Sequence, residues 1–146
     1  MGKRRKARES SLQILFQLEF DKTEPEKVFE SFWKNKKATK EIEEHSRWLV
    51  EKITSHREDI DNLIQSVSEN WRISRMAIVD RNILRIAVCE LLYEKGITPA
   101  IVINEAIEIA KKFSSEDGAT FVNGILDAVR KEIQAMKKAP EEEKDA

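Results

Sequence analysis

The sequence contains one cysteine, three prolines, four glycines and one tyrosine in 146 residues. A single thiol excludes an internal disulfide, and no cysteine pair is present to hold a structural zinc. Cys89 lies among apolar helical positions and reads as a small buried hydrophobe in a reducing compartment. Glycine and proline are too sparse for the many turns of a β-sandwich or barrel. No apolar run approaches the roughly 20 residues of a membrane span. The basic start is not followed by an unbroken apolar stretch with a small-residue cleavage site, so the expectation is a cytoplasmic protein with no membrane partner. No glycine-rich phosphate loop or dinucleotide fingerprint occurs. His45 and His56 lie eleven residues apart, about three helical turns, too far to share one ion. Acidic residues alternate with lysines. Glu105 and Glu108, beside Lys111 and Lys112, read as solvated ion pairs before they read as an acid–base couple. The expectation is a protein without cofactor, metal or catalytic residues.

What is present is helix-forming and charged. Hydrophobic residues make up 40% and charged residues 36%, with a formal net charge of -1, a composition suited to one globular domain. The charge is unevenly placed. The first eight residues carry Lys3, Arg4, Arg5, Lys6 and Arg8 and no acid. This run feeds directly into the helical pattern Ser11–Leu18, so its cations are presented from a rigid support. Such a cluster suits a phosphate backbone, and guanidinium groups suit bidentate phosphate contacts. Cations at a helix N-terminus oppose the helix dipole. A bound anion would relieve that, and fraying of the first turn is expected without one.

Apolar periodicity predicts helices along almost the whole chain, an all-α bundle of about seven helices. The first covers residues 3 to about 20, with Ala7, Leu12, Ile14, Leu15, Phe16 and Leu18 gripped on more than one side. A short helix opens near Pro25 and carries Val28, Phe29, Phe32 and Trp33. Thr39 is placed to cap a third, in which Ile42, Ser46, Leu49, Val50 and Ile53 share a side and Trp48 faces a neighbour. A fourth runs from about Arg57 to Glu69. Residues 70–80 form a connector, and Asp80 is the expected cap of a central, heavily buried helix through Leu92. Gly96 ends that helix and Pro99 opens the next. Ser114 or Ser115 caps the last, where Gly124 is expected to allow close helix approach. The expected organisation is one domain over 1–136, with an amino-terminal sub-bundle over 3–69, the connector, and a carboxy-terminal sub-bundle over 80–136. Residues 137–146, rich in Lys, Glu and Pro, are expected to be a disordered charged tail.

Four segments together resemble the NusB family of transcription antitermination factors. They are Arg4-Arg5-Lys6-Ala7-Arg8-Glu9 with Leu12-Gln13 and Leu15-Phe16; Trp71 to Met76 with Asp80 to Ala87; Pro99 with Val102 to Phe113; and Phe121 to Asp127. They occur in the family's order over most of residues 4–130. The resemblance implies two small helical sub-bundles and no catalysis. It implies binding of boxA-containing single-stranded RNA, a heterodimer with ribosomal protein NusE, and assembly with other Nus factors on RNA polymerase to support full-length ribosomal RNA synthesis. Self-association as a homodimer stays open. Lys3, Arg4, Arg5, Lys6 and Arg8 take the RNA-contacting role, with Phe121 as a base-stacking residue; Arg72 and Arg75 extend the positive surface or neutralise helix ends. Asp117 matches a residue at the RNA and NusE junction, and Glu105 and Glu108 fall in the matched segment as partner-facing candidates. Arg85 is expected to pair with Glu90 or Asp80. Two departures stand out: Gly118 where many relatives have serine, and Cys89 where an aromatic residue is common.

Two other readings compete. One is a detached RNA-binding domain like those fused to ribosomal RNA cytosine methyltransferases. The other is a helical dimerisation scaffold with an incidental basic end.

Overall fold

The computed structural model describes residues 2–145, and side chains through Lys138. Among these, the elements are α1 (Gly2–Phe20), α2 (Pro25–Trp33), α3 (Lys40–Ser55), α4 (Arg57–Val67), α5 (Ile78–Tyr93), α6 (Pro99–Phe113) and α7 (Glu116–Asp145), with a one-turn 3-10 helix at Ile73–Arg75 in the connector. The all-α expectation is met.

The helix starts follow local chemistry. Pro25 and Pro99 occupy first-turn positions, where a missing N–H costs nothing. Thr39 Oγ1 accepts from the Ile42 N–H at 3.4 Å, and Ser115 Oγ accepts from the Gly118 N–H at 2.9 Å. Gly96 takes φ +77°, the left-handed conformation that reverses the chain between α5 and α6. Asp80 is not the cap of α5. That position belongs to Ala77, and Asp80 lies in the first turn, where its charge still favours the helix dipole.

α5 is the axis of the bundle. Residues 82–90 are all buried, so this helix has no solvent face. Around it, one continuous core takes Leu12 and Leu15 from α1, Leu49 and Ile53 from α3, Ile60 and Ile64 from α4, and the apolar faces of α6 and α7. The two expected sub-bundles therefore share one core. A smaller cluster of Ala7, Ile14, Val28, Phe29, Trp33, Ile42 and Val50 fastens α2 to α1 and α3. Ser11 and Ser46 sit where α1 meets α3, and the Ser11 hydroxyl reaches Ser46 Oγ at 2.9 Å and its own helix at Ala7 O, 2.8 Å away. Cys89 is fully buried, and burial pushes its thiol up to about 12, which leaves it protonated and inert.

Three expectations are corrected. Phe16 is 40% exposed and packs, with its ring tilted, against Phe20 at 5.2 Å between centroids, Phe20 itself being 66% exposed, instead of joining the core. Gly124 faces solvent with nothing within 4 Å of a would-be Cβ, so no helix approaches it. The backbone of 137–145 continues α7 as helix. Lys, Glu and Ala are good helix formers, and residues 134–138 are exposed, so propensity extends the helix where the core has ended.

At the far end of α1, Glu19 accepts from Arg85 at 2.8 Å, from Asn82 at 3.2 Å, and from Arg81 through a charge-assisted pair. Arg85 also reaches Asp61 on α4 at 2.8 Å. Its expected partners Glu90 and Asp80 are each five positions away, about 140° around the helix, and face elsewhere. Burial alone would raise the Glu19 carboxyl; the bonds from Arg81, Arg85 and Asn82 outweigh it and hold the group down to about 2.

Because the folded value lies below the ordinary 4.5, Glu19 contributes stability above that pH and loses it as pH falls towards about 2. Glu19→Gln should flatten the decline of unfolding free energy over this window and lower stability at pH 7, since Arg81 loses its carboxylate and Arg85 keeps only Asp61. A urea titration series with an unchanged pH slope would refute it. Gly124→Ala should raise stability by about 1 kcal/mol, through helix propensity at an open position; a melting temperature that falls would show that the position is constrained.

Candidate nucleic-acid interface

The five cations at the start of α1 are braced differently. Lys3 pairs with Glu41 of α3 at 3.2 Å, and both are exposed. Arg4 pairs with Glu94 just past α5, while its Nη1 lies 3.2 Å from His45 Nδ1. Arg5 donates to Glu105 of α6 at 2.6 Å. Lys6 is exposed and has no ion pair among the described residues. Arg8 donates to Glu90 of α5 at 2.8 Å, with its side chain only 5% exposed. The first turn is thus tied to α3, α5 and α6, and α1 is helical from Gly2 where fraying was expected.

The energies separate these residues into two kinds. An exposed pair is worth about 0–1 kcal/mol, so Lys3 and Arg4 can exchange a carboxylate for a phosphate at little cost. Arg5, about half as exposed as Arg4, is intermediate. A buried pair costs about 3–5 kcal/mol to break. Arg8, named among the RNA-contacting candidates, is placed by the fold as a nearly covered brace, and what it holds in place is the helix that presents the other four.

Glu90 is the buried hub of this end. His45 Nε2 donates to it at 3.0 Å and Arg8 at 2.8 Å. Burial raises its carboxyl, and the bonds from His45 and Arg8 win and hold it below the usual range. One ligand atom each from His45, Glu90 and Glu94 lies within 4.8 Å of the others, a spacing a metal ion could use. Arg4 and Arg8 already donate into that cluster, so its negative charge is answered by guanidinium. Sequence spacing gave no sign of it, because residues 45, 90 and 94 meet only through the packing of α3 on α5.

A second locus forms at the start of α7. Arg75, Trp71, Asp80, Asp117, Gly118 and Phe121 line a depression of about 270 Å³. Trp71 is 56% exposed, and Phe121 is half-buried against the core. Two aromatic faces beside an exposed arginine suit an unpaired base. Asp117 and Phe121 are thus brought together, as the resemblance implied, and Arg75 joins them. Arg72 does not; it lines a separate depression with Arg57, Asp61 and Arg81. Gly118 leaves this space to its neighbours: a Cβ would run into Ser114 Oγ and come to 3.0 Å from Asp80 Oδ1, so a serine at 118 would need the Ser114 side chain to turn aside. Glu108 pairs with Lys111 at 3.4 Å and is exposed, whereas Glu105 is held by Arg5.

These features define a class: an all-helical bundle with a basic helix end as its candidate nucleic-acid surface. The NusB family model matches residues 5–131. The transcription antitermination protein NusB of Myxococcus xanthus is 43% identical over 133 residues, covering 88% of this chain and 95% of that protein. The crystal structure of T. maritima NusB superposes with a TM-score of 0.83 at 38% identity, covering 90% of this chain and 92% of that one. A crystal structure of antitermination factors NusB and NusE in complex with dsRNA contains a chain that matches with a TM-score of 0.82 at 30% identity, covering 90% of this chain and 98% of that one. The chain belongs to the NusB family.

Arg8→Ala should lower the unfolding free energy by about 3–5 kcal/mol by removing the guanidinium partner of the buried Glu90 and leaving it only the His45 bond, whereas Arg4→Ala should cost less than about 1 kcal/mol. Equal losses in urea unfolding would remove the distinction between brace and contact.

Proposed function

We propose that this protein binds boxA-containing single-stranded RNA together with ribosomal protein NusE. With the other Nus factors on RNA polymerase, the complex supports processive transcription of ribosomal RNA operons. The observation that carries the RNA reading is the placement of Lys3, Arg4, Arg5 and Lys6 on the first two turns of a helix braced from within by Arg8, where exposed ion pairs exchange readily for phosphates. The second locus supplies what a phosphate surface lacks, flat groups for bases. Arg75, Trp71 and Phe121 stand ready for an unstacked nucleotide, with Asp117 at the same rim. The likeness to a chain from a complex of NusB, NusE and dsRNA supports both partner types.

For the protein partner, the exposed Phe16–Phe20 pair is the favoured contact, since exposed aromatic groups are the usual anchors of interfaces. Glu108 and Asp117 are exposed and suit a polar rim, while Glu105 is engaged by Arg5.

Titration of a boxA RNA against a scrambled RNA, with and without NusE, tests the reading. Specific binding strengthened by NusE, and weakened in Arg4→Ala/Arg5→Ala/Lys6→Ala without unfolding, is the expected result. For every phosphate that is no longer neutralised, the slope of log K against log salt should become shallower by about 0.7. Wild-type affinity in the triple variant would sink the basic-end assignment. Equal weak binding of both RNAs, indifferent to NusE, would favour a scaffold.

A further inference from the structure

A groove of about 380 Å³ runs between α1, the α2–α3 connection and the carboxyl end of α6, and four lysines reach it from three separate parts of the chain: Lys6, Lys36, Lys37 and Lys112. The one carboxylate lining it, Glu9, is paired with Lys112 at 2.7 Å. Three ammonium groups are thus left without a counter-charge among the described residues of the groove. Lys36 stands 3.5 Å from the centre of the Phe32 ring, which orients it without neutralising it. Lys37 is exposed.

Trp33 forms part of the floor, and its indole Nε1 is buried with no acceptor among the described residues. Lys6 belongs both to this groove and to the basic end of α1, so the two surfaces are continuous. Lys6, Lys36 and Lys37 bring like charge together here without a carboxylate partner among the described residues of the groove. A polyanion passing from one surface to the other removes their repulsion.

We infer that the Lys6–Lys36–Lys37–Lys112 groove is a second phosphate track, which carries the sugar–phosphate backbone of single-stranded RNA onward from the Arg4–Arg5 end. The inference rests on the RNA-binding reading above and extends it to flanking nucleotides, read by charge and not by base. The track adds affinity in proportion to RNA length and leaves boxA discrimination unchanged, because ammonium groups contact phosphates as point charges.

The test compares a minimal boxA RNA with the same RNA extended by several nucleotides at both ends. Each is titrated against the wild type, Lys36→Gln/Lys37→Gln and Arg4→Ala/Arg5→Ala at several salt concentrations. Lysine neutralisation should leave the minimal RNA unaffected. On the extended RNA it should make the salt slope shallower by about 1.4, which closes the affinity gap to wild type about sevenfold between roughly 50 and 200 mM salt. Lys37→Gln alone, which has no aromatic contact to lose, should give half that slope change. A wild-type slope for both lysine variants on the extended RNA, with the arginine variant still weakened, would overturn the track and leave the RNA-binding reading standing. Absence of binding by the wild type to either RNA would overturn both.

Discussion

The antiparallel docking of α1 on α5 is fixed by charge at both ends, and the rest of the bundle depends on it. Near the start of α1 the cation is on α1 and the carboxylate on α5, as Arg8 meets Glu90. Near its end the signs are reversed, and Glu19 of α1 takes Arg81 and Arg85 of α5. A reversed α1 would bring Glu19 towards Glu90 and Arg8 towards Arg81 and Arg85, opposing like charges and breaking the buried Arg8–Glu90 pair, at a cost of about 3–5 kcal/mol for that pair. Apolar contacts between Leu12, Leu15 and the α5 face supply attraction without direction; the two ion clusters supply direction. The basic end is placed by the same device, since the residue that locks α1 is one turn from those that reach solvent.

The helices were legible because their signals are local. Pro25, Thr39, Pro99 and Ser115 act within one turn of themselves, and the 3.6-residue apolar period repeats within each helix. What was not legible depends on which element covers which face. Phe16 and Leu15 are adjacent and both apolar, yet only Leu15 lies under another helix. Arg4 and Arg8 look alike in a basic run, but their one-turn separation puts one at the rim and the other over α5. Gly124 gave a pattern consistent with close approach, and nothing approaches it. Of the candidate site, the motif pointed to Arg4, Arg5, Asp117 and Phe121. The His45 contact and the lysine groove were not, since residues 6, 36, 37 and 112 are neighbours only after folding.

Near-neutral net charge and a strongly basic helix end are compatible because most of the cations are matched one by one. Glu41, Glu94 and Glu105 each hold one cation of the end, so the free protein does not present a bare positive surface to every anion. An isolated carboxylate or phosphate gains little by displacing one of them, since a weak ion pair is replaced by another weak ion pair. A chain of phosphates displaces several at once, pays the entropy of association once, and releases its condensed counterions. On the proposed RNA reading, the matched carboxylates act as a filter on ligand length: they compete with single anions at each site, while a polyanion that spans Lys3 to Lys6 recovers the loss through the contacts it makes together. On that reading the cations act together because α1 is held in place there by the buried Arg8–Glu90 pair.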